Sequence, residues 1–115
     1  MADIKVVVNG VLGRMGQEVL NAVNNAQGMQ PIAGSDIANT VDQISLPTGE
    51  GVIPVHRDIK DAVKGADVVV DFTNASGARS VMEAAAPEGA SCVIGSTGLS
   101  KDDFQSAKIL AESNN

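Results

Sequence analysis

Residues 9–16 read Asn-Gly-Val-Leu-Gly-Arg-Met-Gly, and they follow directly on the strand-like run from Ile4 to Val8, with its apolar core Val6-Val7-Val8. From Arg14 to about Asn25, the residues Met15, Val19, Ala22, Val23 and Ala26 recur at the spacing of one helix face. A buried strand that must turn at once into a helix leaves few options for the residues between. Gly10 permits the tight turn, Gly13 lets a ligand come close to the backbone, and Gly16 lets helix and strand pack closely. The N–H groups at the start of such a helix, with its dipole, attract a pyrophosphate, and Arg14 adds positive charge beside them. Asn9-Gly10 alone would also suit a hairpin turn, but the helical pattern that follows argues against one.

Asp36 lies about 20 residues beyond the glycines, at the end of the next apolar run, where an acidic residue can hydrogen-bond the adenosine ribose of a dinucleotide. Its bland alternative is a turn or cap residue. Ile37 follows where a protein preferring NADP would want an arginine for the 2′-phosphate, so NADH is expected to bind at least as well as NADPH. Two later strand ends point to the same edge of the sheet. They are Val70-Asp71-Phe72-Thr73 and Gly95-Ser96-Thr97-Gly98, the second offering hydroxyl and N–H groups to a nicotinamide carboxamide or ribose. Either segment could equally be an ordinary capped turn.

Short β-branched runs alternate with helical stretches along the rest of the chain. Strands are expected at Gln30 to Ser35, Val52 to Val55, Ala66 to Asp71 and Ser91 to Ile94. Between the first two of these, Ser45, Pro47, Thr48, Gly49 and Gly51 have the composition of a mobile loop. Helices are expected from Asp58 to Lys64, stopped by Gly65, and from Ser76 to Ala86, stopped by Pro87 and Gly89. A last helix from Lys101 to about Glu112 would begin at a Ser100 cap. The alternation predicts an α/β fold of Rossmann type, a doubly wound, mostly parallel sheet with helices on both faces. The final helix leads to no sixth strand, so a piece of a longer protein is expected.

The chain has 115 residues, enough for one domain, so a second domain for substrate does not fit. A hydrophobic share of 43% and a charged share of 19% place it among globular chains, and no apolar run reaches the ~18 residues of a membrane span. The net charge of −6, without clustered Lys or Arg, argues against nucleic acid as a partner. The opening residues lack a signal peptide's apolar region, and the single Cys92 allows no internal disulfide, which together lead us to expect a cytoplasmic protein. Cys92, within an apolar strand, is read as a buried inert thiol, and the solitary His56 as structural. Neither joins a metal-ligand spacing, and no metal is expected.

In order and spacing, Val8-Asn9-Gly10 running into Gly13-Arg14-Met15-Gly16, then Val70-Asp71-Phe72-Thr73, then Val93-Ile94-Gly95-Ser96-Thr97-Gly98, resemble the dihydrodipicolinate reductases of the diaminopimelate and lysine pathway. The likeness covers essentially the whole chain and is more specific than a generic glycine fingerprint. It implies that the backbone of Gly10, Val11, Leu12, Gly13, Arg14 and Met15 binds the pyrophosphate of NADH or NADPH, and that Asp36 binds the adenosine ribose. Gly95, Ser96 and Thr97 would meet the nicotinamide end, with Phe72 and Thr73 lining the cleft. The family more often has Thr where Ser96 stands, and some members carry arginine where Ile37 and Asn74 stand. Its paired histidines and its lysine, which bind and protonate the substrate, belong to a second domain with no counterpart here. The resemblance therefore implies the cofactor-holding part of a reductase, inactive alone, whose full-length form assembles as a homo-oligomer through that second domain.

Two other readings compete. One is another oxidoreductase with the same glycine spacing, although a short-chain dehydrogenase needs a catalytic Tyr and this chain has none. The other is a stand-alone nucleotide sensor without catalysis.

Overall fold

The computed structural model describes residues 3–38, 41–46, 51–72 and 75–95, with the side chains of 75–78 left aside. In chain order the elements are β1 (Ile4–Asn9), α1 (Arg14–Asn25), β2 (Met29–Ser35), β3 (Gln43–Ser45), β4 (Val52–His56), α2 (Ile59–Ala62), β5 (Val68–Asp71), α3 (Ala75–Glu88) and β6 (Ser91–Ile94). They form one six-stranded sheet in the order β3-β4-β2-β1-β5-β6. Every pairing is parallel except β3 with β4.

The near-continuous valines of β1 follow from its central place, with a strand on either side and helices over both faces. Successive side chains serve opposite layers. Val7, Ala33 and Val69 pack with Ile59, Val63, Val81 and Ala85 beneath α2 and α3. Val8, Ile53 and Val55 pack with Leu20 of α1 on the other side, joined by Val11 from the glycine loop. The chain steps outward from β1 through α1 to β2, then returns through α2 to β5 on the far side of β1. That reversal opens a crevice at the carboxyl ends of β1 and β5, the place where open α/β sheets bind ligands.

Several local expectations need correction. The loop after β2 contains a three-residue strand, β3, whose Ile44 pairs with Ile53 and packs on the core. Its polar composition hid it, because the pairing partner supplies what the local pattern lacks. Helix α3 does not stop at Ala86: Pro87 lies within its last turn, and the helix ends where Gly89 adopts φ 70°. Gly89 N–H donates to the Ala86 carbonyl and Ala90 N–H to that of Ala85, both at 3.1 Å, a Schellman closure. Asp58 is the N-cap of α2, its carboxylate accepting from Lys60 N–H at 2.9 Å. Helix α2 is correspondingly shorter than expected, and so is β5, Ala66 being in the turn that donates to Val63. Cys92 is exposed, because β6 is an edge strand whose residues 91–93 are all exposed. The expected helix from Lys101 lies outside the described residues, as do Pro47, Thr48 and Gly49 of the expected loop.

Candidate functional site

A cleft of about 300 Å³ lies at the carboxyl edge of the sheet, lined by Asn9, Gly10, Gly13, Arg14, Met15, Gly16, Asp36 and Phe72. Six of the residues expected from sequence thus meet at one place, drawn from the ends of β1, β2 and β5 and from the first turn of α1. The others divide. Val11 is fully buried, its side chain in the core, and Leu12 is half-buried beside it. Gly95 sits behind Phe72, and a Cβ there would overlap the Phe72 ring, so the missing side chain makes room for an aromatic wall of the cleft. Thr73, Ser96 and Thr97 lie outside the described residues.

The glycine loop is held by a specific set of bonds. Gly10, at φ 75°, turns the chain so that its N–H and that of Val11 both donate to the Ser35 carbonyl, at 2.7 and 3.2 Å. The Leu12 N–H donates to Asp36 Oδ2 at 3.0 Å, and the Gln17 side-chain amide donates to the Val11 carbonyl at 2.6 Å. The Gly13 N–H closes on Gly10 O at 3.1 Å. The first four N–H groups of the loop are therefore spent inside the protein. Helix α1 begins at Arg14 with Gly13 as N-cap and no side-chain cap, and its first described backbone bond runs from Gln17 N–H to Gly13 O. The N–H groups of Arg14, Met15 and Gly16 make no hydrogen bond to a described residue, as the first turn of a helix requires when nothing caps it. These three donors, the positive end of the α1 dipole and the Arg14 side chain converge on the cleft.

The glycines differ in what the fold asks of them. A Cβ on Gly16 would run into the Gly10 carbonyl and fall 2.8 Å from Val11 Cα, so α1 could not lie this close to the turn after β1 with any other residue there. A Cβ on Gly13 would meet only Gly10 O, at 3.4 Å, and its φ of −80° is ordinary. Among the described residues nothing demands a glycine at 13. Gly34 of β2, which sequence reasoning passed over, is needed to seat Val11, whose Cβ would otherwise lie 2.8 Å from the added carbon.

Asp36 fills its turn reading and keeps acceptor capacity besides. Its backbone N–H extends the β2–β4 ladder to His56 O at 3.0 Å, and its Oδ1 accepts from Ala38 N–H at 3.0 Å, an Asx turn. With Oδ2 on Leu12, each oxygen has accepted one bond, and a carboxylate can accept about four. Capacity for ribose hydroxyls remains.

Beneath the cleft runs a polar row that the sequence did not announce. Asn9 is in register with Ser35 on one side and Asp71 on the other, all at strand ends. Ser35 Oγ donates to Asn9 Oδ1 at 2.7 Å, and Asn9 Nδ2 donates to Asp71 Oδ1 at 2.9 Å. Ser35 and Asp71 are both buried, Asp71 completely. The available signal was a polar residue closing a buried strand, three times over. The Cys92 thiol, on the neighbouring strand, is pushed above its usual pKa by desolvation and secondarily by the negative charge of Asp71. Among the described residues no group of His, Cys, Asp and Glu is arranged to hold a metal, and no helix is long and apolar enough to cross a membrane.

The sequence pattern of the family described as dihydrodipicolinate reductase, N-terminus, matches residues 4–114. A 4-hydroxy-tetrahydrodipicolinate reductase of Dehalococcoides mccartyi is 36% identical over 116 residues, covering 99% of this chain and 44% of that protein. The dipicolinate-bound dihydrodipicolinate reductase from Paenisporosarcina sp. TG-14 superposes with a TM-score of 0.78 at 25% identity, covering 97% of this chain and 44% of the other. The apo scyllo-inositol dehydrogenase from Lactobacillus casei, at 19% identity and a TM-score of 0.74, covers 98% of this chain and 34% of its own, and shares the fold. The chain thus spans under half the length of the relatives it matches. With its glycine loop, its strand order and its family pattern in agreement, it belongs to the dihydrodipicolinate reductase family and corresponds to the N-terminal region.

Proposed function

We propose that the cleft binds a nicotinamide dinucleotide and that, within a longer chain, this region holds NAD(P)H for reduction of the cyclic dihydrodipicolinate precursor. The observation that carries the reading is the convergence on one cleft of the Asp36 carboxylate and three N–H groups at the start of α1 that have no partner among the described residues. A pyrophosphate would take the N–H groups of Arg14, Met15 and Gly16 and the charge of Arg14, approaching over Gly13. Gly10, Val11 and Leu12 would act by shaping the turn rather than by donating, since their N–H groups are already used.

Asp36 would accept from the adenosine ribose, while Phe72, Thr73, Gly95, Ser96 and Thr97 would serve the nicotinamide end. The cleft is at the small end of ligand sites, which run from about 300 to 1,000 Å³, so it would take part of a dinucleotide. When bound, the nicotinamide supplies the hydride; this region's own residues bind and orient it. NADH should bind at least as well as NADPH, because Ile37 is 84% exposed and supplies no cation, and the Asp36 carboxylate would repel a 2′-phosphate. Substrate binding, protonation and homo-oligomer formation would fall to residues outside this chain, and the free thiol of Cys92 suits a reducing cytoplasm.

Calorimetric titration with NADH and NADPH tests the reading. Binding of NADH at least equal to NADPH, weakened about tenfold or more in Asp36→Ala, is expected. Absence of binding by either would overturn it.

A further inference from the structure

The Ser35–Asn9–Asp71 row has one orientation only. Asp71 as a carboxylate can only accept, so the Asn9 amide must turn its nitrogen toward β5 and its oxygen toward Ser35, whose hydroxyl then has to donate. The row therefore settles which way an amide at the floor of the cleft faces. That amide belongs to a half-buried residue lining the cleft, and the second hydrogen on its Nδ2 has no partner among the described residues. A buried carboxylate is costly unless it is fully bonded, and three adjacent strand ends carrying side chains for the purpose exceed what sheet pairing needs.

We propose that Asp71 is a positioning residue that locks the Asn9 amide so that its remaining N–H is offered to an acceptor oxygen of the bound dinucleotide, either on the pyrophosphate or on the ribose next to it. This rests on the dinucleotide reading above. Asn9 then adds a side-chain donor on the β5 side of the cleft to the three backbone donors of α1. Ser35 completes the lock from the other side, and its own carbonyl holds the glycine loop, so loop and amide are referred to the same residue. Without the carboxylate, the amide can turn over and present Oδ1, which repels the ligand oxygens it formerly bound.

The test is titration of the chain, its Asn9→Ala variant and its Asp71→Asn variant with NADH, ADP-ribose and ADP, with a thermal melt of each. Asn9→Ala should lose about tenfold in affinity and Asp71→Asn about three- to tenfold, each by the folded protein. Equal losses for ADP and ADP-ribose place the contact on phosphate, and a loss for ADP-ribose alone places it on the ribose. Asp71→Asn removes a buried charge at constant shape, so a folded variant is expected. Should it nonetheless melt early, Asn9→Ala carries the same measurement. A lowered melting temperature with unchanged affinity in both variants would make the row purely structural and overturn the proposal. Failure of the unsubstituted chain to bind any of the three ligands would instead overturn the dinucleotide reading on which the proposal rests.

Discussion

Gly13 and Gly16 stand three residues apart in one loop and answer to different demands, and alanine separates them. Gly16→Ala forces α1 away from the Gly10 carbonyl and should destabilise the fold by about 1–3 kcal/mol, read by denaturant titration. Gly13→Ala finds room in the protein and should cost under about 1 kcal/mol as an N-cap change. On the proposed approach of the pyrophosphate over Gly13, the methyl would stand in its way and should weaken NADH binding by about tenfold or more. Both glycines were legible from spacing alone. Their division of labour was not, since it depends on which atoms lie within reach of the absent Cβ. Cys92 makes the same point in reverse: an apolar neighbourhood in sequence suggested burial, and the edge position of β6 exposes it. Its thiol is held protonated, first by desolvation and then by Asp71, so its alkylation at neutral pH should be slower than that of a free cysteine. Asp71→Asn should speed that reaction, and equal rates in the two proteins would remove Asp71 as a cause. Because it is the thiolate that is penalised, the shift leaves folded stability unchanged below the ordinary thiol range and lowers it as pH climbs from there through the raised value.

Among the elements, α3 shows how a stop signal can be misassigned. Proline lacks an N–H and disfavours helix interiors, yet in the last turn it forfeits a single bond, and the helix carries on through it to Glu88. The termination is made by Gly89, which alone can adopt φ 70° without strain and so lets two N–H groups return to Ala85 and Ala86. Gly89→Ala should therefore lower stability by about 1 kcal/mol, while Pro87→Ala should leave it unchanged or slightly raise it. Thermal melts of the two variants check the assignment, and the reverse ranking would restore Pro87 as the stop. The first helix, by contrast, was readable in full from its glycines and its 3.6-residue periodicity. The short β3 was not, because three residues carry too little pattern and its pairing with β4 is what orders them.

For the whole molecule, the strand order places β1 at the centre and β3 and β6 at the edges. Hydrogen exchange should accordingly be slowest in Val6 to Val8 and in Val69 to Val70, and fastest in β3 and β6. Protection of β6 equal to that of β1 would mean that its outer edge is covered. Apart from the short β3, the alternation of strands and helices, the glycine loop and the place of Asp36 at the end of β2 could be read from the chain, because each is written in neighbours a few residues apart: the β-branched runs, the helical repeat, the glycines that local turns require. What depended on tertiary structure was everything written between distant segments. Asn9 meets Ser35 across 26 residues and Asp71 across 62, and the N–H groups of Gly10, Val11 and Leu12 are consumed by the end of β2. Local periodicity says which face a side chain will occupy. Only the assembled sheet says whose side chain or carbonyl waits on that face, and hence which donors are left for a ligand.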